Sequence, residues 1–160
     1  MDKKERVYVY IDGSNLYHNL RRSNCGHINF NFKKFVNYFV KDRKLEGVGY
    51  YIGQIRPIDN NKKSQRLHRF QQIGNIFTEK GVDVRIAIDL VEGAYENRYD
   101  KAILISSDGD LAPAIEMVKR KNKAVEIVSF KDNPSYLLMQ KANYKHFIDK
   151  VDLQRFVIKL

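Results

Sequence analysis

Val7-Tyr8-Val9-Tyr10-Ile11 and Ala102-Ile103-Leu104-Ile105 are apolar or aromatic at every position. A strand with no polar face has to be covered on both sides, the condition met in a mostly parallel sheet held between two layers of helices. The sequence around them supplies those layers. Asn15 to Arg22 reads as a short helix, and Phe32, Phe35, Val36 and Phe39 recur at helical spacing and predict another ending near Asp42. Val84, Ala87, Leu90, Val91 and Ala94 predict a longer amphipathic helix that ends around Asn97, and Leu111 to Lys121 predicts a fourth. Asn133-Pro134 resembles an N-cap and first helical residue, opening a last helix through about Ala142. Val48 to Ile55 and Ala124 to Phe130 read as further strands, and His146 to Leu160 as a strand or helical cap on the edge. Lys62 to Thr78 is mixed: Leu67, Phe70, Ile73 and Phe77 fit a helix that Gly74-Asn75 interrupts, after a run of turn formers at Pro57 to Asn61. Strands alternating with helices predict one α/β domain over residues 1–160, a three-layer α/β/α sandwich with a mostly parallel central sheet.

Ligands of such sheets bind beyond the carboxyl ends of the strands, where the winding direction reverses. Two acidic clusters fall at such ends. Ile11-Asp12-Gly13-Ser14-Asn15 closes the first strand, and Ser106-Ser107-Asp108-Gly109-Asp110 closes the strand expected beside it. Asp12, Asp108 and Asp110 then meet at one end of the sheet. Gathered carboxylates repel one another, and a chain that keeps them usually holds a divalent cation between them. Asp83, at or near the start of the long helix, is a natural fourth member, since negative charge is favoured there. Gly13 and Gly109 allow tight turns, and the Asn15 amide can bind a phosphate oxygen or orient a carboxylate. Local roles compete for each acid: Asp12 can close an Asx-turn, Asp83 can cap its helix, and Asp110 can cap the helix beginning at Leu111. Asp89, six positions after Asp83 and on another helix face, is expected to be structural or supporting. Turn chemistry explains each acid singly but not the arrival of all of them at one end of one sheet.

Composition narrows the chemistry. Cys25 is the only cysteine, which excludes an internal disulfide and a Cys-rich zinc site, and His18, His27, His68 and His146 show no HExxH spacing. GxxxxGK[ST] is absent, and Gly47-Val48-Gly49 leads to Gly53 and into a strand, unlike a dinucleotide-binding turn. A haloacid-dehalogenase-like phosphatase needs a second Asp two residues after the first, where this chain has Ser14. No run approaches the roughly 20 apolar residues that span a bilayer, and Met1 to Arg6 does not lead into a signal peptide, so a cytoplasmic location away from membranes is expected. The 29 Lys and Arg against 19 Asp and Glu give a net charge of +10, which favours a polyanion as partner. Bases cluster at Lys33-Lys34, Lys41 to Lys44, Lys62 to Arg69 and Lys119 to Lys123; Lys62, Lys63, Arg66, Arg69 and Lys80 are the expected nucleic-acid contacts.

Three ordered motifs extend this reading: Tyr10-Ile11-Asp12-Gly13-Ser14-Asn15-Leu16-Tyr17, then Glu79-Lys80-Gly81-Val82-Asp83-Val84-Arg85-Ile86-Ala87-Ile88-Asp89, then Tyr99-Asp100-Lys101-Ala102-Ile103-Leu104-Ile105-Ser106-Ser107-Asp108-Gly109-Asp110. From about Arg6 to Asp149 the chain resembles an NYN domain of the LabA-like group, in the PIN-like nuclease superfamily. The resemblance implies a PIN-like, Rossmann-like fold and a Mg²⁺- or Mn²⁺-dependent ribonuclease site. Carried over residue by residue, it makes Asp12, Asp83, Asp108 and Asp110 the acidic centre and metal ligands, with Asn15, Ser106, Ser107 and Asp89 in support. Ser106-Ser107-Asp108-Gly109-Asp110-Leu111 departs from the common Ser-Gly-Asp-x-Asp-Phe, and Asn143 stands where Asp is frequent; neither change removes a core carboxylate.

The expected activity is phosphodiester hydrolysis in RNA, single-stranded by preference because exposed tyrosines can stack unpaired bases. The alternatives are a weakly active or non-catalytic RNA-binding regulatory module and a small-molecule phosphohydrolase. An exposed edge strand could pair a homodimer.

Overall fold

The computed structural model describes residues 3–25, 29–53, 73–78 and 80–159. Its strands are β1 (Arg6–Asp12), β2 (Lys44–Ile52), β3 (Asn75–Thr78), β4 (Lys101–Ile105), β5 (Ala124–Phe130) and β6 (Tyr144–Ile148). All five pairings are parallel, in the order β3-β2-β1-β4-β5-β6. The described helices are α1 (Gly13–Arg22), α2 (Phe32–Val40), α3 (Val82–Tyr95), α4 (Ala112–Arg120), α5 (Tyr136–Lys141) and α6 (Lys150–Gln154), with a 3₁₀ turn at Gly109–Leu111 leading into α4. None of them is long and apolar enough to cross a membrane.

Alternation along each strand divides the core into two layers. Val7, Val9, Ile11, Val48, Ile103 and Ile105 face Leu16 and Leu20 of α1 and Phe32, Phe35 and Phe39 of α2. Tyr10, Tyr51, Leu104, Val125 and Ile127 face Ile86 and Leu90 of α3, Ile115 and Val118 of α4, and Leu138 of α5. Each large side chain so buried contributes roughly 1.5–3 kcal/mol of transfer free energy, which is why both apolar strand faces need their helices. The all-parallel sheet with helices on both faces is the three-layer architecture expected.

Several boundaries move. β2 begins at Lys44 and ends at Ile52. Within the mixed stretch, Asn75–Thr78 is strand β3, paired to β2 from Gly49 to Ile52, so Phe77 lies on a strand. The rest of that stretch up to Gln72, and the turn expected at Pro57 to Asn61, lie outside the described residues. The last helix starts later than expected: Ser135, not Asn133, is its N-cap, with Ser135 Oγ accepting from the Leu138 N–H. The tail supplies both the strand and the cap, as β6 and α6.

At the amino ends of the strands, Glu126 of β5 sits 2.5 Å from Arg43, 3.3 Å from Lys101 and 3.0 Å from His146, with 6% of its side chain exposed. Burial pushes its carboxyl up, but His146, Arg43 and Lys101 outweigh burial and hold it down from 4.5 to about 2. A depressed folded-state value means that the network stabilises the fold above about pH 4.5 and that this contribution is lost as pH falls toward 2. Glu126→Gln should therefore lower stability at pH 7 by about 2 kcal/mol, with the gap to wild type narrowing between pH 4.5 and 2 in thermal or urea melts; a gap independent of pH would contradict the ionic origin.

Candidate metal centre

β1 and β4 are neighbours, with Ile11 opposite Ile105, so Asp12 and Ser106 emerge side by side. Here the crossovers leave in opposite directions, toward β2 on one side and β5 on the other. Asp12 is buried and fixed at both oxygens: Oδ1 accepts the Asn15 N–H at 3.0 Å as N-cap of α1, and Oδ2 accepts from Ser106 Oγ at 3.1 Å. Burial raises its carboxyl above the ordinary range; those hydrogen bonds oppose the rise, and the charge on Asp108 adds to it. Glycine is required next to it, because a β-carbon at Gly13 would lie 2.5 Å from Ile52 and 2.6 Å from Tyr50.

The turn after β4 is organised by the same serine. The Asp108 N–H donates to Ser106 Oγ at 3.1 Å, and Asp108 Oδ1 accepts the Asp110 N–H at 3.0 Å, so Asp108 caps the 3₁₀ turn and Asp110 does not cap α4. Asp83 lies in the first turn of α3, whose N-cap is Gly81 in the left-handed conformation (φ 70°); Asp83 is not the cap and its carboxylate is left for other work. One carboxylate oxygen from each of Asp83, Asp108 and Asp110 lies within 4.8 Å of the other two. Asp12 stands beside this triad and outside that mutual distance. Among the described residues no lysine or arginine pairs with any of the three. Three hard oxygen donors without a counter-charge fit a divalent cation that favours oxygen ligands.

Around the triad, Asn15 Nδ2 donates to Ser107 Oγ at 2.5 Å, and Asn133 Nδ2 donates to the same oxygen at 3.0 Å. Asn133 is the residue that sequence reasoning misplaced: its partner is 26 positions away, and no local pattern announces it. Asp89 is not in the triad. It is buried on α3, where Oδ2 accepts from the Tyr51 hydroxyl and Oδ1 from Arg85 Nε, both at 2.9 Å, tying the helix that carries Asp83 to β2. Asn143 is remote, pairing its side chain and its N–H with the Val125 backbone at the start of β5. Neither Gly13 nor Gly109 has a left-handed backbone, so the tight-turn argument holds for neither; close packing against Ile52 and Tyr50 is what calls for glycine at 13.

The basic clusters divide. Lys41 to Lys44 and Lys119 to Lys123 lead into β2 and β5, which puts them at the amino ends, away from the carboxylates. Lys80 is exposed and three residues ahead of Asp83. Lys62, Lys63, Arg66 and Arg69 lie outside the described residues.

Residues 6–152 match the family model of the NYN domain. The chain belongs to the NYN domain family. NYN domains are generally nucleases, and this one carries a cluster of three acidic residues. This NYN domain is 24% identical over 174 residues to the low amplitude and bright protein LabA of Synechococcus elongatus, an alignment covering 98% of this chain and 90% of LabA. It superposes with a TM-score of 0.78 on the crystal structure of a protein of unknown function from Vibrio parahaemolyticus, at 23% identity, covering 93% of this chain and 96% of the other; that likeness is one of fold.

Asp108→Asn keeps an oxygen for the Asp110 N–H but removes one of three crowded charges. In EDTA the variant should melt no lower than wild type. In excess Mn²⁺ wild type should gain stability, about 2.7 kcal/mol at a hundredfold excess over Kd, and the variant most of it should lose. An equal gain in both proteins would remove Asp108 from the ligand set.

Proposed function

We propose that this NYN domain is a metal-dependent ribonuclease acting on single-stranded RNA, with Mg²⁺ or Mn²⁺ held by Asp83, Asp108 and Asp110 and with Asp12 completing the acidic centre. The observation that carries this reading is the triad without a counter-charge at the carboxyl ends of strands, in a chain whose net charge is nevertheless +10. When bound, the cation supplies positive charge against the phosphate and acidifies an attacking water.

The chain's own residues do the rest. Asp12, held at both oxygens, presents a fixed acceptor beside the triad, so it can orient a water without reorganising. Ser106 joins Asp12 to the Asp108 backbone and keeps the two strand ends in register. Asn15 and Ser107 hold each other, and the Ser107 hydroxyl, already accepting two amides, has its own proton to give to a phosphate oxygen. Tyr51 acts through Asp89 by fixing α3 against β2, and Arg85 holds the Asp89 carboxylate from within the helix. Lys80, together with Lys62, Lys63, Arg66 and Arg69, is assigned to the RNA backbone on charge alone, giving salt-sensitive affinity.

End-labelled single-stranded RNA incubated with Mn²⁺, Mg²⁺ or EDTA separates the readings. Wild type should cleave only with a cation, and Asp110→Asn, at an exposed position where folding is undisturbed, should lose at least about 100-fold in rate. RNA bound but intact in both proteins would mark a regulatory module. Hydrolysis of mononucleotides with RNA left intact would mark a small-molecule phosphohydrolase.

A further inference from the structure

The start of α5 is built against the acidic turn. A β-carbon on Gly109, the residue between Asp108 and Asp110, would lie 3.6 Å from Leu137 Cδ2 and 3.9 Å from Ser135 Oγ. Tyr136 lies between those two residues, and the loop ahead of it is tied to the centre through Asn133 and Ser107. Tyr136 is 76% exposed and Leu137 46% exposed. Other exposed tyrosines have ring partners: Lys121 covers Tyr95, Lys101 covers Tyr144, and Tyr38 makes T-shaped contacts with Phe39 and Phe156. Among the described residues Tyr136 has no ring or hydrogen-bond partner.

We infer that Tyr136, with Leu137 beside it, is a stacking platform for an unpaired nucleobase next to the phosphate at the acidic centre. The inference rests on the RNA reading above, though not on turnover. Carboxylates repel the phosphates they serve, so a strand seated there needs an attraction that does not depend on charge. Base stacking on an aromatic ring provides it for any base, and only for a base whose face is free. A duplex, with its faces stacked internally, gains nothing from the ring. The +10 net charge brings the polyanion to the molecule, and Tyr136 gives its bases a place beside the triad.

Binding of a fluorescently labelled single-stranded RNA, measured by anisotropy in Mn²⁺ in the Asp108→Asn background, tests this without cleavage. Adding Tyr136→Ala should raise Kd about tenfold, Tyr136→Phe should restore it, and Kd for the paired duplex should not respond to either change. Tyr95→Ala, at the far end of α3, should leave Kd unaltered. An unchanged Kd in Tyr136→Ala, equal weakening for duplex, or no binding by the parent overturns the inference. Wild-type cleavage with Tyr136→Ala binding like its parent overturns the platform alone; weakened binding by Tyr136→Ala with no wild-type cleavage overturns the ribonuclease reading alone.

Discussion

The 3.1 Å hydrogen bond from Ser106 Oγ to Asp12 Oδ2 ties the ends of β1 and β4 together on the face covered by α3. It forms because the parallel register sets Ile11 against Ile105, so the next residue of each strand emerges at the same level. The serine also accepts the Asp108 N–H, and Asp108 in turn accepts the Asp110 N–H. One serine thus turns a strand pairing into a placement for three aspartates. Asp83 enters from α3, which buried Asp89 ties to β2 by accepting from the Tyr51 hydroxyl.

Charge is sorted along the strand direction. At the amino ends, Arg43, Lys101 and His146 surround Glu126, and the buried carboxylate is satisfied within the chain. At the carboxyl ends, Asp83, Asp108 and Asp110 gather with no such partner among the described residues. The first arrangement stabilises the fold, whereas the second sets like charges against one another and opposes it. Keeping like charges together where the fold could have avoided them is a pattern of binding sites, in which stability is given up for function.

Much of this was legible in the chain because burial of parallel strands leaves a strong trace. Val7–Ile11 and Ala102–Ile105 permit no solvent face, and the acids that follow them fall at the ends of neighbouring strands as read, although Asp12 stands outside the group of Asp83, Asp108 and Asp110. What escaped is what depends on contacts between distant residues. Asn133 looked like a helix cap because Pro134 follows it, yet Ser135 takes that role and Asn133 reaches Ser107. β3 is only four residues long and inherits its conformation from pairing with β2, so the sequence around Ile73 and Phe77 reads as mixed, neither helix nor strand. The basic runs at Lys41 to Lys44 and Lys119 to Lys123 are visible in any sequence count, but only the topology shows that they face away from the acids.

The proposal that Asp83, Asp108 and Asp110 together hold a divalent cation has a direct test. Crystals grown in Mn²⁺ and measured at the manganese absorption edge test it directly. An anomalous peak is expected within about 2.5 Å of a carboxylate oxygen of each of the three residues. Manganese bound elsewhere with the triad empty at saturating Mn²⁺ would contradict it.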